Sequence, residues 1–185
     1  MTFDTEKILQ GCKNGESKSF KELYNLYAKA MFNISVRILN NKNEAEDVLQ
    51  ESFLKAFQNI HVFDKQAAFG GWLKRVVINK SIDVIRKQKE TIISLDELVD
   101  IRSDDAETKQ EEDAMDYDVE MIKESIQKLS DGYRIVLTLY LFEEFTHKEI
   151  AATLNISEGT SKSQYNRAKK KLIEFIQLKN KSHVI

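Results

Sequence analysis

The sequence predicts an all-α fold, in which two small helical domains are joined by an acidic, flexible linker. The 185-residue chain contains no proline and only six glycines, and the apolar alternation typical of strands is rare. Apolar residues instead recur at intervals of three and four on both sides of a central segment. That segment, from Asp96 to Glu120, holds twelve acids and two bases. Its charge of −10 leaves +8 on the rest of a chain whose net charge is −2.

The N-terminal half, from about Glu6 to Lys89, is predicted to fold into successive helices. A polar break precedes the second long helix, which Asn43 and Glu46 are predicted to begin. A loop over residues 61–68 separates this helix from a last one that runs from Phe69 to about Lys89. The predicted core positions are Phe20, Leu23, Tyr24, Tyr27, Met31, Ile34, Ile38, Ala45, Val48, Leu49, Ser52, Phe53, Ala56, Phe57, Trp72, Val76 and Ile82.

The C-terminal half begins near Val119 and is again predicted to be helical, with Ser130 capping its second helix. The predicted apolar positions of these two helices are Ile122, Ile126, Leu129, Ile135, Val136, Leu139, Tyr140 and Phe142. The acidic sequence between the halves is poor in aromatic residues and buries too little surface to offset its ordering entropy. The predicted organisation is therefore a first domain over residues 1–90, a linker over 91–118 and a second domain over 119–185.

Residues 146–172 have the pattern of a helix-turn-helix. Thr146 and Glu149 stand at capping-box spacing before a short amphipathic helix, and residues 157–160 supply a second start signal. The inner positions predicted for the two helices are Ile150, Ala151, Leu154, Tyr165, Ala168, Leu172 and Ile176. The outward-facing positions predicted for the second helix are Ser163, Arg167 and Lys170.

The outer face of this second helix is basic. Between Thr160 and Lys181 there are seven lysines and arginines against one acid, Glu174. Such a helix suits the major groove of DNA, with its N-terminal residues at base edges. A plain helical hairpin with a charged surface is the alternative for the segment taken alone. His147, in the first turn of the motif, is expected to contact a phosphate or water.

A second surface is predicted on the helix over residues 44–59. Opposite its apolar face stand Asp47, Gln50, Glu51 and Leu54, spaced 0, 3, 4 and 7. An exposed leucine beside two acids and an amide suits a protein contact with one apolar anchor in a polar rim. An ordinary solvated face is the alternative, which the residues alone favour, because single exposed leucines are common.

The stretch 65–89 is strongly basic. It carries six lysines and arginines in its helix and Lys65 in the preceding loop, against the single acid Asp83. Asn79, Asp83 and Arg86 fall on one helical face, which could read bases while the lysines contact phosphates. An Asp83–Arg86 ion pair within the helix is the structural alternative.

Three aromatic residues lie close to this basic helix in the sequence. Phe63, Phe69 and Trp72 could stack on unpaired bases, as single-strand binders require, or could be core residues. We expect core positions for Phe69 and Trp72. A nucleic-acid role for the loop 61–68 stays open on the residues alone.

The residues that would support catalysis or metal binding do not form a recognisable pattern. The single Cys12 excludes an internal disulfide and a cysteine-based zinc site, and the three histidines lack ligand spacing. We therefore expect no cofactor, no metal site and no enzymatic activity. The N-terminus carries no signal-peptide pattern and no apolar run approaches membrane-spanning length, so we expect no membrane insertion and a cytoplasmic location.

Three blocks of the chain resemble the small bacterial sigma factors of the sigma-70 family, in the extracytoplasmic-function (ECF) group. Residues 43–57 are similar to region 2.2, which binds the clamp helices of the polymerase β′ subunit. Residues 69–86 are similar to regions 2.3–2.4, which melt and read the −10 promoter element. Residues 129–172 are similar to region 4, whose helix-turn-helix reads the −35 element. The blocks stand in the family's order over nearly the whole chain.

The resemblance implies a sigma factor that binds core RNA polymerase through the β′ clamp helices and the β flap, recognises promoter DNA and assists its opening. An anti-sigma factor is a further candidate partner. The linker resembles the segment that threads toward the active cleft and RNA exit path, and the loop 61–68 is the implied pocket for a flipped base. The implied residues are Asp47, Gln50, Glu51 and Leu54 for core polymerase, Lys65, Lys74, Asn79, Lys80, Asp83 and Arg86 for the −10 DNA, and Lys162, Ser163, Asn166, Arg167 and Lys170 for the −35 DNA.

The chain departs from the family's pattern at four positions of region 4. Ser130 stands where proline is frequent, and Glu144 where glycine is common. Ser161 replaces the usual apolar residue, and Gln164 replaces a frequent basic residue. The first two departures concern structure, whereas Gln164 bears on which −35 sequence is read.

Two other classes of function compete with a promoter-specificity subunit. One is an autonomous transcriptional regulator that uses the helix-turn-helix alone. The other is a helical adaptor whose basic faces bind acidic proteins. The two N-terminal blocks distinguish a promoter-specificity subunit from an autonomous regulator, because a simple regulator needs neither block.

Overall fold

The computed structural model describes residues 5–63, 66–93 and 119–182, and all regular structure in these ranges is helical. The predicted all-α class is therefore confirmed for the described part of the chain. The helices are α1 (Thr5–Lys13), α2 (Ser17–Leu39), α3 (Lys42–Gln58), α4 (Gln66–Ile93), α5 (Val119–Gln127), α6 (Asp131–Leu141), α7 (His147–Leu154) and α8 (Glu158–Ser182), with a 3-10 turn at Ile60–Val62. Of the linker predicted over residues 91–118, residues 91–93 belong to α4, and residues 94–118 lie outside the described residues.

The chain divides into two compact units, residues 1–90 and 91–185. In the first unit, α2, α3 and α4 bury one apolar face each, because apolar side chains three and four residues apart lie on the same side of a helix. Leu23, Ile38 and Val77 are fully buried in this core. A hydrogen bond between the buried hydroxyls of Ser35 on α2 and Ser81 on α4, at 3.0 Å, links two of these helices. It satisfies both groups where the helices meet.

The start of α3 differs from the prediction. Its N-cap is Asn41, whose side-chain oxygen accepts hydrogen bonds from the backbone N–H groups of Asn43 and Glu44. The preceding Asn40 adopts a left-handed conformation, φ 56°, and ends α2. Consecutive asparagines therefore end one helix and begin the next, and the predicted start at Asn43 with Glu46 is wrong.

The bounds of the helical structure around residues 61–68 differ from the predicted loop. The 3-10 turn ends at Val62, and α4 begins at Gln66 rather than at Phe69. Phe69 is fully buried, as expected. Trp72 is only half-buried, so part of its side chain lies outside the core, which differs from the predicted core position.

In the second unit, α5, α6 and α8 pack around Ile126, Leu129, Leu137 and Ala168. Ser130 is the N-cap residue of α6, as predicted from its position, but its side chain makes no capping hydrogen bond. Two other hydrogen bonds stabilise the α5–α6 connection. Arg134 donates from Nη1 to the Leu129 carbonyl at 2.8 Å and from Nη2 to Asp131 Oδ1 at 2.6 Å. A buried guanidinium therefore holds the α5–α6 connection.

The helix-turn-helix is formed by α7 and α8. Thr146 and Glu149 make the predicted capping box at the start of α7. Asn155 ends α7 in the left-handed region, φ 58°, which asparagine tolerates better than most residues. Ser157 Oγ then accepts a hydrogen bond from the Thr160 N–H at 2.9 Å and starts α8. Local sequence signals thus fix both ends of the turn.

Candidate partner and nucleic-acid interfaces

The outer face of α3, comprising Asp47, Gln50, Glu51 and Leu54, is exposed as predicted. Leu54 is 62% exposed and is one of the large apolar side chains that are exposed among the described residues. The opposite side of α3 is buried in the first unit's core, so the helix is held firmly while this face is left open. Asp47, Gln50 and Leu54 have no partner in the described part of the chain, which leaves them available to another protein.

Glu51 is the member of this face that does have a partner. Its Oε2 lies 2.5 Å from Nζ of Lys80 on α4. The hydrogen bond from Lys80, followed by the charge of Lys80, lowers the pKa of Glu51 from its ordinary value. Glu51 is therefore ionised at neutral pH, and the predicted polymerase contact and the predicted DNA contact are joined by an ion pair.

The exposed face of α4 carries a stripe of polar residues that follow one another at about one helical turn. Asn79, Asp83 and Arg86 are all exposed and share this face, as predicted. Arg86 Nη1 lies 3.5 Å from Asp83 Oδ1, the intrahelical pair that was the structural alternative. An exposed pair at this distance contributes little stability, so a phosphate could compete with Asp83 for the guanidinium. Lys74 is half-buried, and Lys65 lies outside the described residues.

Arg75 belongs to the same stripe but was not among the predicted site residues. It is exposed, precedes Asn79 by one turn, and has no partner among the residues described. Its four-residue spacing from Asn79 and Asp83 is the signal that identifies it. An exposed guanidinium at this position suits a phosphate contact.

The aromatic residues near the start of α4 pack mainly on one another. Phe63 is buried, with its ring centroid 5.4 Å from Phe69 and 4.9 Å from Trp72. Tyr27 contacts Phe69 at 5.5 Å and reaches close to Gly70, where an added Cβ would lie 3.1 Å from the tyrosine ring. Of the three aromatics considered for base stacking, Phe63 and Phe69 are buried, and the half-buried Trp72 is the most accessible.

The outer face of α8 presents Lys162, Asn166 and Lys170 at intervals of four, and all three are exposed. Asn166 and Lys170 have no partner in the described ranges. Lys162 Nζ lies 2.7 Å from Glu158 Oε1, and this hydrogen bond lowers the pKa of Glu158. The stripe is therefore a basic face with one amide, of the kind that contacts phosphates and base edges.

Two predicted outward positions of α8 are half-buried instead. Ser163 donates from Oγ to the Thr160 carbonyl at 3.1 Å, and Arg167 is partly covered. Ser163 and Arg167 therefore border the exposed stripe rather than lie at its centre. Gln164 is also half-buried, with Oε1 3.9 Å from where a Cβ on Gly132 of α6 would stand. The departure at 164 thus lies on the α6 side of the helix.

His147 makes a polar contact inside the helix-turn-helix. His147 Nδ1 lies 3.0 Å from Oγ of the fully buried Ser161, and its ring stacks on Tyr140 at 4.6 Å. This nitrogen is therefore engaged within the protein, and the expected phosphate or water contact stays a prediction for the other ring nitrogen of His147. Burial, followed by the neighbouring Tyr140, raises the pKa of Tyr165, which packs against both rings. The cluster fixes α8 relative to α6 and α7.

Two kinds of site have no counterpart in the part of the chain that is described. Over these residues, no group of three or more histidine, cysteine or acidic side chains is arranged to hold a metal ion. In the same ranges, no helix combines the length and apolar character needed to cross a bilayer.

Family models match both units. Residues 23–91 match Sigma-70 region 2, and this range includes α3 and most of α4. Residues 120–172 match Sigma-70, region 4, which includes the helix-turn-helix.

Similar folds appear in two solved structures. The sigma factor RpoE of Bartonella quintana, solved in complex with the anti-sigma factor NepR, gives a TM-score of 0.56 at 22% identity, covering 86% of this chain and 98% of that one. CnrH, solved in complex with the cytosolic domain of CnrY, gives a TM-score of 0.52 at 20% identity, covering 94% and 97%. At these identities the likeness concerns the fold.

Sequence relatives extend over nearly the whole chain. The ECF RNA polymerase sigma factor SigW of Bacillus subtilis is 32% identical over 176 residues, covering 90% of this chain and 94% of that protein. SigM of the same organism, also named an ECF RNA polymerase sigma factor, is 32% identical over 152 residues, covering 82% and 91%. Because such relatives match both halves of the chain, the protein belongs to the sigma-70 family of RNA polymerase sigma factors, in its ECF group.

Proposed function

We propose that this protein binds core RNA polymerase, recognises the −35 and −10 elements of promoters and assists promoter opening to initiate transcription. The outer face of α3 would contact the β′ clamp helices, and the second unit would contact the β flap. The observation that carries the proposal is the pairing, in one ECF-family chain, of an open face around Leu54 with two basic helical stripes. The protein would act in the cytoplasm, where polymerase and promoters are found.

Each DNA surface has a separate role in this proposal. The α4 stripe, with Asn79 and Arg86 at its exposed positions and Arg75 as an added phosphate contact, would bind the −10 element. Lys65, Lys74, Lys80 and Asp83 complete the proposed −10 set. The α8 stripe would enter the major groove at the −35 element, with Lys162, Asn166 and Lys170 exposed and Ser163 and Arg167 at its border.

An autonomous helix-turn-helix regulator is the weaker candidate. Such a protein needs only α7 and α8, whereas the relatives match α3 and α4 as well. An anti-sigma factor is a further proposed partner, since RpoE of Bartonella quintana was solved with one.

The polymerase contact is tested by truncating the α3 face. We expect Leu54→Ala combined with Gln50→Ala to weaken binding to core polymerase by about fivefold or more, because the anchor of a small interface carries a large share of its energy. Affinity is measured by titration of labelled protein with core enzyme. Both residues are exposed and without partners in the described ranges, so circular dichroism and thermal stability should be unchanged.

A matched control uses another exposed leucine. Leu178 on α8 is 63% exposed, close to the 62% of Leu54. Leu178→Ala should leave core affinity unchanged. Equal affinity of the wild type and the Leu54/Gln50 double variant would rule out the α3 face as the polymerase contact.

A further inference from the structure

The ion pair between Glu51 and Lys80 connects two surfaces that are proposed to bind different partners. Glu51 lies on the outer face of α3, and Lys80 lies on α4 beside the exposed Asn79. Their Oε2 and Nζ atoms are 2.5 Å apart, and no other partner of Lys80 is present among the described residues. The lysine side chain is 28% exposed and the glutamate side chain is 65% exposed. A partner therefore reaches the carboxylate more easily than the ammonium.

We propose that Glu51 is a positioning residue that keeps Lys80 from DNA in the free protein and releases it when core polymerase engages Glu51. The proposal rests on the proposed function, since it assumes that the α3 outer face binds polymerase and that α4 binds the −10 strand. The proposal adds a physical link by which binding of polymerase to α3 favours binding of DNA to α4.

Competition for one ammonium group is the first step of the mechanism. A DNA phosphate that contacts Lys80 would come close to the Glu51 carboxylate, and two anions at short distance repel each other. The carboxylate also occupies a donor of the ammonium that a phosphate would otherwise take. The free protein therefore binds single-stranded DNA with one phosphate contact fewer than its basic residues suggest.

Release of Lys80 is the second step. Glu51 shares its face with Gln50 and Leu54, so a polymerase that covers this face brings its own groups within reach of the carboxylate. A lysine or arginine of the polymerase that pairs with Glu51 replaces Lys80 and returns its charge to the α4 stripe. Because the coupling is thermodynamic, occupation of Lys80 by DNA also favours the polymerase contact.

The rest of the α3–α4 contact does not depend on this pair. Gln88 Nε2 on α4 donates to Glu44 Oε1 on α3 at 2.5 Å, and the buried apolar faces of both helices pack in the core. Replacing Glu51 by glutamine should therefore leave the melting temperature close to that of the wild type, because an exposed pair contributes little stability. The variant can be compared with the wild type as a folded protein.

The first arm of the test uses the full-length free protein and a short, random-sequence single-stranded DNA. Glu51→Gln should raise the affinity for this DNA by roughly 1.4- to 5-fold, which corresponds to the energy of a surface ion pair. It should also steepen the dependence of log affinity on log salt by about 0.7, because one phosphate contact is gained. Glu46→Gln is the matched control, because Glu46 is exposed on the same helix and lies outside both proposed contacts. It should change neither quantity by as much. Equal affinity and salt slope for Glu51→Gln and Glu46→Gln would overturn the proposal.

The second arm asks whether the gain acts through Lys80 and whether polymerase removes it. In a Lys80→Gln background, Glu51→Gln should add nothing. With saturating core enzyme, Glu51→Gln and wild-type holoenzymes should bind the DNA equally, because Lys80 is already released. A gain that persists in either setting would contradict the mechanism. Transcription by the wild-type holoenzyme tests the proposed function separately: if it initiates while the free variants do not differ, only the inference fails.

Discussion

Glu144 is held in the left-handed region of backbone conformation, with φ 60°, just before the helix-turn-helix. This is the position where the family commonly has glycine. The left-handed conformation costs an ordinary residue about 1–2 kcal/mol, and glycine avoids that cost at some loss of chain entropy. The Glu144 side chain is exposed and has no partner in the described ranges, so no contact offsets the strain.

We therefore expect Glu144→Gly to raise the free energy of unfolding of the second unit by about 1 kcal/mol. Asn155→Gly is the control, since Asn155 has nearly the same φ, 58°, but asparagine tolerates it. Urea denaturation followed by circular dichroism measures both. A loss of stability on Glu144→Gly would contradict the strain argument.

His147 and Ser161 form a matched polar pair inside the helix-turn-helix. Ser161 replaces the apolar residue that the family usually has there, and its buried hydroxyl is satisfied by His147. His147→Ala should destabilise the protein by about 1–3 kcal/mol, because a buried hydroxyl then lacks a partner. The stacking of His147 on Tyr140 is lost as well.

A second substitution separates these two effects. Ser161→Ala in the His147→Ala background removes the unsatisfied hydroxyl and should recover about 1 kcal/mol. A double variant that is no more stable than His147→Ala alone would show that the hydrogen bond is unimportant.

At the scale of the element, α8 divides its proposed DNA contacts between bases and phosphates. Arg167→Ala should cost about 1–3 kcal/mol on a matched −35 sequence and reduce discrimination against a mutated one, as expected for a base contact. Lys170→Ala should weaken binding to both sequences equally and lower the salt slope by about 1. Holoenzyme binding to the two promoter fragments measures both. A uniform loss for Arg167→Ala would assign it to the phosphates instead.

The elements that could be predicted are those whose signals are local. Thr146 and Glu149 predicted the start of α7 because a capping box involves only neighbouring residues. The predicted start of α3 was wrong because several asparagines lie close together in the sequence. Which of them caps the helix depends on which one adopts the left-handed conformation, here Asn40. Periodicity gives faces reliably, but it does not decide between adjacent capping residues.

For the proposed site residues, the structure bears on exposure, and exposure was predicted best where a single helix decides it. The outer face of α3 follows from spacing, since its members lie opposite a buried face. The Glu51–Lys80 pair could not be predicted, because it depends on how α3 packs on α4. The same reason explains Ser161, whose burial against His147 is set by the packing of two helices.

At the scale of the whole molecule, each unit carries one proposed DNA surface, and only the first also carries the proposed β′ contact. Neither DNA surface is extensive: the exposed stripes of α4 and α8 hold a few basic residues each. Phosphate contacts add roughly in their effect on affinity and on its salt dependence. Two small surfaces therefore bind strongly only when a common partner holds both, which is the role proposed for core polymerase.

Runoff transcription with purified core polymerase on genomic fragments, followed by mapping of the start sites, tests this account most directly. The account predicts weak binding of the free protein to duplex promoters, and specific transcripts only when core enzyme and the protein are combined. The mapped starts should share two upstream elements, and mutation of either element should abolish the transcript. Tight binding to duplex DNA by the protein alone, without transcription on addition of core enzyme, would contradict it.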